Sequence, residues 1–278
     1  MIKLDLKRIL MDKKMLYILI LGIIIIACSS ISELHGYIFF NYDAPDLQTP
    51  ELQAGAREMV KQSLNKYDIW LSGFNWYIFF MPIISALPFA LTYREDIKNN
   101  MIFNINTRIK HKKYIYSKII INAVSGGCAV IIPMILSLIV SNIFFGGTMD
   151  DFSTYKAFGG IFNSIFKNNY YEYILIHLGI EFLFGCSYAS IALAVSSKIK
   201  NSMAIILAPF LFWAGGSVII TLLNLPINTP MDINQFYMCK NLAMKEILIH
   251  LVSVFIVSAC IFFYYTRKEE IYEKRDIL

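Results

Sequence analysis

The sequence predicts an all-α, polytopic membrane protein with six transmembrane helices. Three observations carry that class. The 278-residue chain is 57% hydrophobic and only 16% charged, with mean hydropathy +0.55, whereas a soluble chain has about 25% charged residues. Apolar runs near 20 residues recur along it, the length at which a helix crosses a ~30 Å hydrocarbon core. The basic residues fall mainly in alternate segments between those runs. Disorder is excluded, because it needs low hydrophobicity and high charge. Backbone groups in lipid must bond internally, which leaves helices or closed barrels. The runs are too long and too uniformly apolar for barrel strands. The spans form one bundle, so residues 1–278 are read as a single transmembrane domain.

The N-terminal residues 1–12 come first. Ile2, Leu6, Ile9 and Leu10 follow helical spacing, with Lys3, Asp5, Lys7, Arg8 and Asp12 on the other side. That pattern predicts a short amphipathic helix on the membrane surface. The first span is read at 15–31. Its basic start and Ile25-Ile26-Ala27-Cys28 superficially fit a lipoprotein signal. Cleavage there would delete a span and break the charge alternation, so the segment is read as retained. The loop at 32–68 is the longest, and Pro50 opens a run of good helix formers at 51–66. The second span is read at 69–91, interrupted by Pro82 and Pro88 and flecked with Ser72, Asn75 and Ser85.

The next segment, 93–118, is strongly basic. Ile97, Met101, Ile102, Ile105 and Ile109 recur at three and four, which predicts a second amphipathic helix. Such a helix either docks in a groove on another protein or rests on the membrane. The remaining spans are read at 119–145, 173–196, 203–223 and 247–265, with Pro133 in the third and Pro209 in the fifth. The loop at 146–172 is rich in Gly, Asn and aromatics, and its 158–166 stretch is read as dipping into the interface. The loop at 224–246 begins irregularly, with Pro226 and Pro230.

Charge sets the orientation. The two ends and the second and fourth loops hold 18 Lys and Arg, and the alternate loops hold 7 together with 11 acids. The positive-inside rule places the first set, and both termini, in the cytoplasm. The net charge of +5 therefore faces anionic headgroups and a cytosolic partner rather than nucleic acid. Four of the five cysteines lie in apolar runs, and no metal spacing or disulfide framework exists. The phosphate-loop pattern GxxxxGK[ST] is absent too.

Glu181 is the one acid deep in a span, and His177 lies one turn before it. A charge at the bilayer centre costs ~2.5–3.5 kcal/mol even on the lenient insertion scale, so such residues face protein or water. Gly185, Ala189 and Ala192 follow, small residues that let helices approach closely. Three roles stay open for Glu181: a structural hydrogen-bond partner, the wall of a polar path together with His177, Asn75 and Ser85, or a catalytic group. HExxH is absent and no nucleophile–base set stands out, so the chain is read as a non-enzyme without metal or cofactor of its own.

This layout resembles the type 2 ABC-transporter permeases. Glu95 … Arg108 … Lys113-Tyr114 … Lys118 is similar to that family's acid followed by "R…KKY…SK" in the inner loop, and 192–204 (ALAVSSKIKNSMA) looks like its short turn between spans four and five. One departure is Lys98-Asn99-Asn100, where the family usually has Gly-Thr. The resemblance implies a membrane subunit in the bacterial cytoplasmic membrane. It would pair with a cytosolic ATPase that carries ATP and Mg²⁺, and with a second permease, identical or not. The coupling helix to the ATPase would include Met101, Ile102, Ile105, Arg108, Ile109 and Lys112. Substrate would leave between two permeases, along the second and fifth spans; peptides, antibiotics, lipids and glycans are the family's range. The alternative is a non-transport membrane protein, such as an immunity, sensor or assembly factor.

The topology is testable directly. Cysteines introduced at Glu58 and Ser153 should react with an impermeant thiol reagent in intact cells, and cysteines at Asn104 and Glu270 should not. The reverse pattern would invert the orientation and remove the family argument with it.

Overall fold

The computed structural model describes residues 13–47, 49–99, 101–102, 110–147, 160–239 and 241–275, with side chains as far as Arg267. Among the described residues the regular structure is entirely helical. The order is α1 (Lys13–Ile38), α2 (Pro50–Ser63), α3 (Lys66–Ser72), α4 (Phe74–Ala86), α5 (Thr92–Lys98), α6 (His111–Phe144), a 3₁₀ turn (Gly160–Phe162), α7 (Asn163–Asn168), α8 (Tyr170–Ser196), α9 (Ser202–Leu222), α10 (Pro230–Asn234) and α11 (Met244–Arg275). Five of these, α1, α6, α8, α9 and α11, are long and apolar enough to cross a membrane. The pair α3 and α4 passes the same test only when taken together, across a bend of 43°. The predicted surface helix at 1–12 lies outside the described residues.

Short polar caps set the helix starts. Asn65, Asn169 and Asn201 each accept backbone N–H groups at the heads of α3, α8 and α9. Thr49 caps α2, with Pro50 in the first turn, where its missing N–H costs nothing. Thr229 and Asp232 close a reciprocal capping box on α10. Asn224, just past α9, takes a left-handed φ of 48°, a conformation its short side chain tolerates well.

The second span departs from the expected single helix. Its break falls at Gly73, not at a proline. Pro82 is accommodated inside α4, and α4 ends at Ala86, two residues before Pro88. The break survives because α1 supplies hydrogen bonds. Ser29 Oγ donates to the Ser72 carbonyl at 2.7 Å and accepts from Trp76 N at 3.2 Å, and Ser30 Oγ donates to the Ile69 carbonyl at 3.0 Å. Backbone groups freed in an apolar medium need such partners. Gly73 permits the approach, since a Cβ there would lie 2.6 Å from Ile26 Cγ2 and 3.0 Å from Ser30 Oγ.

α8 is the centre of the bundle. In its most apolar stretch 61% of residues are buried, against 22–44% in the other long helices. It packs on α6, α11, α9 and α4, while α1 covers α4 and α6. At the crossing of α6 and α8 the two helices approach closely. A Cβ on Gly126 would meet Ala189 and lie 2.8 Å from the Ser85 carbonyl, and one on Gly185 would lie 2.8 Å from the Gly126 carbonyl. Gly185 and Ala189 of the small-residue stripe thus meet the α6 backbone, while Ala192 packs with Ala86, Ala90 and Ile205.

The described residues 160–166 pack on protein. Phe166 is buried, edge-on to Tyr170 and Tyr173. Gly160, with φ of 52°, sits so close to the Phe236 carbonyl that no Cβ fits. α10 and the following Phe236 and Tyr237 close this end of the bundle.

Gly126→Ala should therefore destabilise the bundle by about 1–3 kcal/mol, the usual cost of overpacking. Gly179→Ala, where a Cβ meets open space, should show no loss. Thermal unfolding of both variants in detergent checks the contrast; equal midpoints would show that α6 and α8 separate easily.

Candidate functional site

Two polar clusters stand out, one in the core and one at the basic end. The core cluster sits on one face of α8. His177 and Glu181 are essentially inaccessible, at 0% and 1% exposure. Tyr173 Oη lies 3.2 Å from His177 Nδ1, and His177 Nε2 lies 3.9 Å from Glu181 Oε1. The expected hydrogen bond between His177 and Glu181 is not made. His177 Nε2 and both Glu181 oxygens have no hydrogen-bond partner among the described residues.

Aromatic rings enclose the imidazole. Trp70, Phe74, Tyr173, Phe236 and Tyr237 place their centroids 5.0–5.6 Å from it, and Phe74 stacks on it. Tyr77, Tyr173 and Tyr237 lie within electrostatic reach of Glu181. Tyr237, in the segment after α10, has its phenol held above the ordinary range by burial and then by the Glu181 carboxylate. The arrangement lines up Tyr173, His177 and Glu181 at i, i+4 and i+8, a row able to carry a hydrogen-bonded proton once the 3.9 Å gap closes.

The other expected path residues do not join this cluster. Ser85 is buried farther along α4 and donates to the Pro82 carbonyl at 2.8 Å. Its own carbonyl lies at the α6–α8 crossing. Asn75 is half-buried near the start of α4. Among the described residues no group of three His, Cys, Asp or Glu is placed to hold a metal.

The basic end was less legible. Of the two adjacent acids, Glu95 is exposed and pairs with Lys14 at 3.4 Å, while Asp96 is buried. Lys118 Nζ lies 2.7 Å from Asp96 Oδ2, and Tyr114 Oη donates to the same oxygen at 2.8 Å. Lys118 also donates to Thr92 Oγ1 at 3.3 Å and sits over the Phe89 ring at 4.7 Å. This pair fastens α5 to α6. Arg94 Nε donates to the Ile199 carbonyl at 3.0 Å and ties α5 to the α8–α9 turn. The sequence signal was the spacing of Tyr114 and Lys118, one turn apart on one face, facing an acid upstream.

The expected coupling residues are only partly covered. Met101 and Ile102 are helical, the first exposed and the second buried against Tyr93 and Tyr114. Ile105, Arg108 and Ile109 lie outside the described residues. Lys112 belongs to the first turn of α6, beyond an extended Lys110. The amphipathic helix predicted through Ile97–Ile109 is interrupted at Asn99, a turn residue, and does not run on into α6, since Lys110 is not helical.

The ion pair carries a prediction. Asp96→Ala strands a buried ammonium and should cost about 3–5 kcal/mol, whereas Asp96→Ala with Lys118→Met should recover most of the loss. Denaturant unfolding in detergent reads both, and a wild-type midpoint for Asp96→Ala would show that the pair does not hold α5. Comparison with family models, curated proteins and solved structures found no match to this chain.

Proposed function

We propose that this chain is the membrane permease subunit of a bacterial ABC exporter. It moves a peptide, antibiotic, lipid or other amphipathic substrate, and a separate cytosolic ATPase supplies the energy. The observation that carries this reading is the fastening of the basic segment after the second span. Asp96, Tyr114, Lys118 and Arg94 root α5 in α6 and in the α8–α9 turn. A partner pulling on the apolar residues just beyond it, from Met101 to Ile109, would transmit force to α6 and to the α8–α9 turn. A buried ion pair suits this task because breaking it is costly.

Two features support the rest of the reading. α4 and α9 lie side by side through Phe79 and Trp213, and they expose Phe80, Leu211 and Val218. That apolar face is where a second permease copy or a paralogue would pack. Glu181 and His177 give the core an ionisable pair that an opening motion could hydrate. The sealing of that pair favours a second reading in one respect: a non-transport protein with a static core, such as an immunity, sensor or assembly factor.

The test is copurification. A cytosolic ATPase should elute with the detergent-solubilised chain. Ile105→Asp should weaken its retention by about 10-fold or more, since burying one such side chain contributes ~1.5–3 kcal/mol. Glu181→Gln should lower transport while leaving ATPase retention and membrane level near normal. No copurifying ATPase, or unchanged retention and transport in Ile105→Asp, would leave the non-transport reading standing.

A further inference from the structure

A cavity of about 540 Å³ opens between α8, α9 and α11 at the basic end of the bundle. Ala194, Val195, Phe212, Val254, Val257 and Ile261 contribute to its largely apolar wall. Phe212, Val257 and Ile261 are exposed, at 41–56%, so the groove opens sideways onto the medium around the helices. A cation guards its end. Lys198 Nζ sits 4.2 Å from the centroid of Tyr265, and Lys198 and Tyr265 both line the groove. The Lys198 ammonium makes no ion pair or hydrogen bond among the described residues. Lys200 and Arg267 are exposed nearby in sequence, without described acidic partners. The turn that bears Lys198 is fixed, because Arg94 holds the Ile199 carbonyl.

Two occupants fit an apolar groove in a membrane: a lipid tail, or a helix from a second copy. Charge decides between them. The two acids of α5 are paired, Glu95 with Lys14 and Asp96 with Lys118. A lipid phosphate carries the missing charge on the same molecule as the apolar tail, and basic pockets between spans bind such headgroups. The aromatic ring stabilises the ammonium by cation–π attraction and leaves N–H donors for an anion.

We infer that this groove binds one acyl tail of an anionic glycerophospholipid, with the phosphate held by Lys198 over the Tyr265 ring. The site is independent of the transport reading, since nothing in it depends on an ATPase or a substrate. Bound lipid braces α9 against α8 and α11 at the level of the Lys198–Lys200 turn. It would thereby stiffen the same junction that Arg94 links to α5.

The test uses the full chain in detergent, equilibrated with equal amounts of phosphatidylglycerol and phosphatidylcholine, and native mass spectrometry to count retained lipid. Phosphatidylglycerol should be retained over phosphatidylcholine by about fivefold, the preference that one cation gives near an anionic surface. Lys198→Gln should bring that ratio close to one. Val257→Trp, at an exposed wall position, should reduce retention of both lipids, and Ser253→Trp provides a second filling variant if the first unfolds. Thermal midpoints within a few degrees of wild type confirm folded variants. Equal retention of the two lipids by wild type, or an undiminished ratio in folded Lys198→Gln, overturns the site. Filling variants that change the oligomeric state while lipid retention stays constant overturn it in favour of a protein interface.

Discussion

Where α6 and α8 cross, Gly126, Gly127 and Gly185 leave no room for a single added carbon, and the backbones of the two helices touch. Lipid offers no hydrophobic force to press helices together, so association rests on close packing of this kind. The crossing fixes α8 as the central helix. From there it orients the Glu181 face, because Glu181 lies one turn from Gly185. It also draws α4 in, through the Ser85 carbonyl. Gly22 of α1 makes a similar approach, with a Cβ position 2.7 Å from Pro133 Cγ on α6. Two of the helix pairings that build the bundle thus depend on absent side chains.

Polarity inside an apolar medium is handled in three ways. The break at Gly73 is satisfied by hydroxyls from a neighbouring helix, which keeps a bent span compatible with lipid. The Asp96–Lys118 pair is a charged solution, with Tyr114 and Thr92 taking up further hydrogen-bonding capacity. The His177–Glu181 pair is different. It is fully enclosed, yet three of its polar atoms lack partners among the described residues. Buried polar groups are normally satisfied, because each orphan costs about 1–3 kcal/mol. An orphaned pair at the centre of the bundle, next to otherwise tight packing, marks a place where another arrangement of the core would gain hydrogen bonds.

The core cluster lies on α8, whereas the basic-end cluster joins α5 to α6, the helix that packs most extensively on α8. Glu181 and His177 face Trp70, Phe74, Phe236 and Tyr237, so they sense how α3, α4 and the segment after α10 pack. Asp96 and Lys118 sense how α5 sits on α6. A shift of α8 against α6 is resisted at the glycine crossing, whereas α9 is the least enclosed of the long helices. Mechanical change in this molecule is therefore expected at α9 and its turn, where Arg94 and the lipid groove act on the same residues.

The sequence by itself determined the membrane-like helical class, the approximate limits of the apolar runs, the helix that follows Pro50, and the shared helix that carries Glu181, His177 and the small residues after them. Those features follow from local composition and helical period, which neighbours in sequence fully specify. Tertiary structure alone decided the rest. The break in the second span falls at Gly73 rather than at Pro82 or Pro88, because only there does α1 bring two serines within hydrogen-bond reach. Asp96, not Glu95, is the buried acid of the loop, since adjacent residues on a helix face different directions and only the fold says which direction meets Lys118. His177 and Glu181 share a face as their spacing requires, but stand 3.9 Å apart because the aromatic rings around the imidazole set its position. Ser85 and Asn75 share the second span with no link to that pair. Which polar groups meet depends on how helices cross, and that is a property of side-chain volumes summed over several helices, not of any one stretch of chain.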